Sequence, residues 1–203
     1  MIAVFLLASL ASIPSDLRFT PWFQERGIAV SIARLPEGTP WIRAVAELPA
    51  GADRVFAAVT DYSGYRKFFD PAVERATVLE SAGLEARLHI VWKYPFPFRN
   101  RDGVVAYRGE PLADEVFLLS WRDAVRPGDP AAGVRIARIA GETRIEPLSP
   151  DRCRVTYIYL GDLGGRFPKS LEEKAWRHEP LGYVLAIRRA LGLAIPPKGE
   201  PLL

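Results

Sequence analysis

Apolar residues alternate with polar ones along most of this chain and recur at three- and four-residue steps in only a few places. The pattern is that of a sheet with few helices. In residues 27–35 (GIAVSIARL), Ile28, Val30 and Ile32 keep the two-residue period, and residues 41–48 alternate again after the cluster Pro36-Glu37-Gly38-Thr39-Pro40. These two segments predict an antiparallel hairpin. Before them, residues 20–26 hold Trp22 and Phe23 in a short amphipathic stretch that Gly27 ends. Residues 52–60 put Val55, Phe56 and Val59 at helical spacing, and residues 61–69 predict a second short helix whose face carries Tyr62, Tyr65, Phe68 and Phe69. Asp70-Pro71 stops it.

Six further strands are expected over residues 73–81, 84–94, 101–109, 115–122, 134–146 and 152–162, divided by glycine and proline breaks in the manner of an antiparallel meander. The last element, residues 169–191, brings Trp176, Pro180, Tyr183, Val184, Ile187 and Leu191 onto one helical face. Pro180 is expected to kink or split that helix, because it lacks an N–H and its ring crowds the preceding turn. The tail beyond it is expected to fray. Both apolar surfaces, the sheet's and the helix's, must be covered. The economical α+β solution is a strongly curved antiparallel sheet with the C-terminal helix across its concave face. That arrangement tends to leave a cavity between the two.

Composition narrows the chemistry. With 203 residues, 49% of them hydrophobic and 25% charged, the chain suits one globular domain. The single cysteine, Cys153, excludes an internal disulfide, and with only His89 and His178 a histidine-built metal centre is not expected. The net charge of +3 is spread along the sequence without a basic run, so no nucleic-acid partner is expected. Residues 1–11 (MIAVFLLASLA) form an apolar stretch ending in small residues that suit signal peptidase cleavage after Ala11, but no basic residue precedes Arg18. Two readings stay open, a cleaved secretory signal and an apolar tail. The first places the protein in the periplasm or outside the cell, the second in the cytoplasm. The domain plan is a leader over 1–17, one domain over 18–193 and a tail over 194–203.

The same element order is carried on three particular stretches: VFAAVTDYSGYRKFFDPAVERATVLES (residues 55–81), YPFPFRNRD (94–102) and TYIYLGDLGGRFPKSL (156–171). With Trp22 and Gly27-Ile28-Ala29-Val30 they resemble the START (steroidogenic-acute-regulatory-related lipid transfer) family in its bacterial single-domain form, within the SRPBCC superfamily. The second stretch is similar to the family's P-W-P-x-x-x-R-D turn, with Phe96 in place of the tryptophan. The third resembles its G-G-x-x-P entry to the last helix. The resemblance implies the helix-grip fold, and binding and possible transfer of one lipid, sterol or other hydrophobic molecule in the cavity under the C-terminal helix. Because the superfamily also holds polyketide cyclases and aromatases, an enzyme using the same cavity is the alternative.

Candidate ligand contacts follow from residue type and position. Tyr157 and Tyr159 share one strand face, as do Trp92 and Tyr94. Their rings either line a cavity with polar tips that orient a ligand or fill an aromatic core. Trp176, Tyr183 and Ile187 lie on the helix stripe that faces the sheet. Arg101 would meet a ligand head group, or else form a structural ion pair with Asp102 after the Pro97 turn. His178 and Glu179 point about 100° apart on a helix and are not expected to work as an acid/base pair. His89 falls on the strand face opposite Leu88, Ile90 and Trp92 and is expected at the surface. Ser120, Thr143, Ser149 and Cys153 have no nucleophile elbow or triad pattern around them. No catalytic residue, metal or cofactor is assigned. The expected partners are an apolar small molecule and, transiently, a membrane, with the protein a monomer.

Overall fold

The structure is a computed structural model that describes residues 13–35, 38–136, 138–164 and 168–199. The leader stretch 1–11, Pro36 and Glu37 of the first turn, Gly165 of the G-G-x-x-P entry and the last residues of the tail lie outside them. Ten strands form one sheet: β1 (Thr20–Glu25), β2 (Ile28–Ala33), β3 (Trp41–Leu48), β4 (Val73–Ala82), β5 (Glu85–Trp92), β6 (Arg101–Pro111), β7 (Phe117–Asp123), β8 (Val134–Arg135), β9 (Ile139–Ser149) and β10 (Arg152–Gly161). The helices are α1 (Ala52–Val59), α2 (Tyr65–Phe68) and α3 (Lys169–Ala190). Strand order is β1-β2-β3-β10-β9-β7-β6-β5-β4, so the expected hairpin and meander are joined where β10 pairs antiparallel with β3. This is the α+β helix-grip fold.

The second short helix covers only Tyr65–Phe68 of the expected residues 61–69, and three further segments differ from the sequence pattern. Residues 20–25 are a strand, because Arg26 and Gly27 at φ 55° and 70° form the tight turn that returns the chain antiparallel onto β2. A register shift between Pro21 and Phe23 puts two aromatic residues side by side and hides the strand alternation. Residues 134–146 are not one strand. The chain leaves β7 at Asp123, crosses the outer face of the sheet and returns as β8, which runs parallel to β6 at Arg101 and Asp102, just beyond the point where β7 ends. Finally, α3 is continuous through Pro180 and is not split. The tail is tied down at its start, since Arg188 and Arg26 donate to the carbonyls of Ala194 and Pro196.

The crossing segment corrects the expectation for His89, which is buried at 1% exposure. Its Nε2 lies 2.9 Å from Asp102 Oδ2, and Arg135 reaches the same oxygen at 2.8 Å while the Ala132 N–H donates to it. Nearby, Arg87 is held by Asp129 and Glu80. The outer face is dry here because residues 124–136 roof it, and a roofed charge needs partners. Asp102 therefore pairs with His89 and Arg135, not with Arg101 as the structural reading of that dipeptide expected.

On the inner face the register sets rows of side chains. Ile42, Tyr159, Gly141, Trp121, Tyr107 and Ala86 occupy one row across six strands. Gly141 is the gap in this row. A Cβ there would run into the Ile158 carbonyl and the Trp121 ring, both well inside contact distance. Gly141→Ala is expected to cost about 2 kcal/mol or more through overpacking. Urea denaturation of the pure variant measures this, and unchanged stability would mean that the Trp121 ring moves aside freely.

Candidate ligand site between the sheet and the last helix

α3 is the only long helix among the described residues, and its stripe closes the concave face. Val184, Ala186 and Ile187 are fully buried. Tyr183 is the central contact: its ring stacks on Tyr157 of β10 at 4.0 Å between centroids, lies 5.8 Å from Phe69, and its hydroxyl shares a 2.7 Å hydrogen bond with Thr143 of β9. Trp121 of β7 lies beside this pair, 5.5 Å from Tyr157 and 6.4 Å from Tyr183. A second hydroxyl pair, Tyr65 with Tyr107 at 2.8 Å, ties α2 to β6. Burial pushes all these phenols well above their ordinary pKa, so they are neutral.

The eight sequence candidates divide into two groups. Tyr157, Tyr183 and Ile187 are buried in the ring stack and its surroundings. Trp92, Tyr94, Tyr159 and Trp176 are only half-buried. Trp92 lies over Gly103, and Tyr159 leans along its strand so that a Cβ on Gly161 would overlap its hydroxyl. The eighth, Arg101, is buried and faces inward, opposite to Asp102. Its Nε donates to the Leu163 carbonyl at 2.8 Å, its Nη atoms donate to the carbonyls of Arg99 and Gly164, and its Cζ sits 4.7 Å above the Tyr94 ring. Arg101 thus clamps the turn after Pro97 to the segment that leads into α3. On the far side of α3, Arg177 lies over Trp22 and Phe23 at 4.9 and 4.4 Å and holds the helix to β1.

Sequence reasoning passed over Glu179. Its carboxyl turns inward, away from exposed His178, and Oε1 accepts a 2.5 Å hydrogen bond from the Tyr157 hydroxyl. Oε2 is hidden from solvent without a partner, as is Nε1 of Trp176 one turn earlier. Among the described residues no ion pair involves Glu179. Desolvation pushes its pKa from 4.5 up to about 7, with the Tyr157 hydrogen bond pulling slightly back. The signal was present in the spacing: residues 176, 179, 183 and 187 fall on one helical stripe, and a carboxylate among three apolar members is out of place there.

The START domain family model matches residues 16–180, and the chain belongs to that family. Among solved structures it is similar to a STAR-related lipid transfer protein from Xanthomonas axonopodis, with 25% identity, a TM-score of 0.73, and 86% of this chain and 98% of that one covered. Human StAR-related lipid transfer protein 5 shares 15% identity with a TM-score of 0.75, each chain covered to 86%. An aromatase/cyclase from a Streptomyces species shares 15% identity with a TM-score of 0.54 over 74% of this chain and 93% of that one. A comparison with curated proteins finds no match. START-family proteins bind lipids or other hydrophobic ligands.

The buried carboxyl makes stability depend on pH. Because its folded pKa is raised, the folded chain keeps a proton that the unfolded chain releases between roughly pH 5 and 7, so stability falls as pH rises through that window. Glu179→Gln keeps the shape and removes the charge. It is expected to gain on the wild type as pH goes from about 5 to 8, by at most about 3 kcal/mol. Urea denaturation of both proteins at the two pH values checks it, and a gap that stays flat would mean that the carboxylate is solvated.

Proposed function

We propose that this protein binds one lipid-like apolar molecule between the sheet and the N-terminal half of α3 and carries it without chemical change. The observation that supports this most is the unevenness of the grip. One end is a closed stack around Tyr183, whereas at the other Trp92, Tyr94, Tyr159 and Trp176 stay half-buried, with Tyr94 and Tyr159 near the hidden carboxyl of Glu179. Large rings with a polar tip suit a site that removes a ligand's apolar surface from water, at about 25 cal/mol per Å², and orients its head. Ligand entry then needs movement of α3 or of the turn over residues 95–101. Native mass spectrometry of the purified protein, followed by organic extraction, tests the reading. A stoichiometric apolar adduct that leaves on denaturation is the expected result, and an unshifted mass after incubation with a lipid panel would overturn it. The same mass reports whether the leader has been removed, as the periplasmic or secreted placement requires.

An enzyme of the cyclase or aromatase type remains the second reading, and Glu179 supports it: a carboxyl near neutrality beside a tyrosine hydroxyl can move protons. Arg101, Tyr157 and Tyr159 are the groups that could polarise a substrate in such chemistry, and Arg101 already donates to three carbonyls.

Transfer requires contact with a membrane, and the turn over residues 95–101 has the character for it. Phe96 is 96% exposed at its tip between two exposed prolines, and Lys93 and Arg99 flank it, also exposed. An aromatic ring seated at the lipid interface with cations beside anionic head groups is a recurrent peripheral anchor. Among the described residues no helix is long and apolar enough to cross a membrane. Phe96→Ser is expected to weaken co-sedimentation with anionic vesicles about ten-fold; equal partitioning of the two proteins would remove this surface from the model.

A further inference from the structure

We infer that Trp176 and Glu179 form a head-group site for an uncharged hydroxyl, so that the molecule held is an alcohol rather than a carboxylate- or phosphate-headed lipid. The inference rests on the carrier reading and concerns the same interior. Its basis is a pair of polar atoms, both hidden from water and both unpartnered: Nε1 of Trp176, which can only donate, and Oε2 of Glu179. They lie one turn apart on the inner stripe of α3, where side chains three apart are neighbours. Buried polar atoms are seldom left unpaired in a folded protein, and an orphan of each kind on one short surface is a complementary pattern waiting for one group.

A hydroxyl oxygen satisfies both, giving its proton to Oε2 and accepting from Nε1. An ammonium can serve Glu179 but has no lone pair for Trp176. A carboxylate or phosphate can accept from Trp176 but would place a second negative charge beside Glu179. The surroundings reinforce the exclusion. The Glu179 charge is felt by the phenols of Tyr65, Tyr94, Tyr157, Tyr159 and Tyr183, and these neighbours are neutral. Arg101, beside Tyr94, directs its nitrogens at the carbonyls of Arg99, Leu163 and Gly164. Asp162 adds a further acid near Tyr159. Arg101 keeps its charge but has its hydrogen bonds committed to those carbonyls, so the Glu179 carboxylate selects against an anionic head beside it, and the donor–acceptor pair selects for a hydroxyl.

Three probes with the same alkyl chain separate the possibilities: 1-hexadecanol, hexadecanoate and hexadecylammonium. Their affinities for the wild type, Glu179→Gln and Trp176→Phe would be measured by native mass spectrometry titration near pH 8, where the Glu179 carboxyl is ionised. The wild type should prefer hexadecanol to hexadecanoate by about ten-fold or more, and Glu179→Gln should shrink that ratio to about two-fold by gaining hexadecanoate. Trp176→Phe should lose about five-fold on hexadecanol without any gain on hexadecanoate. Circular dichroism would confirm that both variants are folded. A ratio that Glu179→Gln leaves unchanged, or tightest binding of hexadecylammonium, would overturn the hydroxyl site while leaving the carrier reading intact. Failure of all three probes to bind would overturn both.

Discussion

Everything in this molecule turns on how one helix covers the concave face of a ten-stranded sheet, and the covering is concentrated at Tyr183. Its ring stacks on Tyr157 and lies tilted against Phe69, and its hydroxyl is shared with Thr143. One side chain thus connects α3 to β9, β10 and the chain just after α2. A helix laid on a curved sheet touches few strands directly, so large side chains must span the distance. The aromatic rings do this with area and hydroxyl groups together, and a hydroxyl that finds a partner in the interior avoids the penalty of burying it unpaired. Stacking at this point also fixes the rotation of α3, which decides that residues 176 and 179 face the sheet.

The sheet has a second dry face, and it is local. Where β7 stops, the open edge of β6 is taken over by β8, and residues 124–136 are drawn across the outside of β5 and β6. His89, Arg87 and Asp102 lie beneath them. A strand pattern tells which residues share a face but not whether that face is wet, because the roof comes from a segment some thirty to fifty positions further along. His89 is the case in point. Its assignment to the face opposite Leu88, Ile90 and Trp92 followed from alternation alone, whereas its burial followed from a loop without any period.

Much of the architecture was legible because a half-buried sheet enforces alternation and because proline and glycine mark its turns. β2 to β7 and β10 fall close to where the pattern puts them, and α3 begins at the expected lysine. The exceptions have distinct physical causes. The bulge at Trp22 disguised β1, and β8 is two residues long, below any periodic signal. The rings of the site were visible as residue types, but their division into a closed stack and a half-buried end was not, since it depends on where α3 lies along its length. Glu179 was readable in principle, because a carboxyl group breaks an otherwise apolar stripe.

Pro180 sits at the boundary between the two halves of the grip. Lacking an N–H, it leaves the carbonyl of Trp176 without its helical hydrogen bond, immediately after the segment that carries the two hidden, unpartnered polar atoms. Beyond it, the C-terminal half of α3 is secured by Val184, Ala186 and Ile187 in the core and by Arg188, which donates to the carbonyls of Glu47 and Ala194. Before it, the N-terminal half rests on half-buried rings, the Arg101 clamp on the chain leading into it, and the Arg177 contact with Trp22 and Phe23. Displacing the first half would break polar and cation–π contacts that water can partly replace. Displacing the second would expose buried aliphatic surface, which water cannot. The helix is therefore weakest where its polar atoms are unsatisfied, so the part of the grip that most needs a partner is also the part that gives way most easily to admit one.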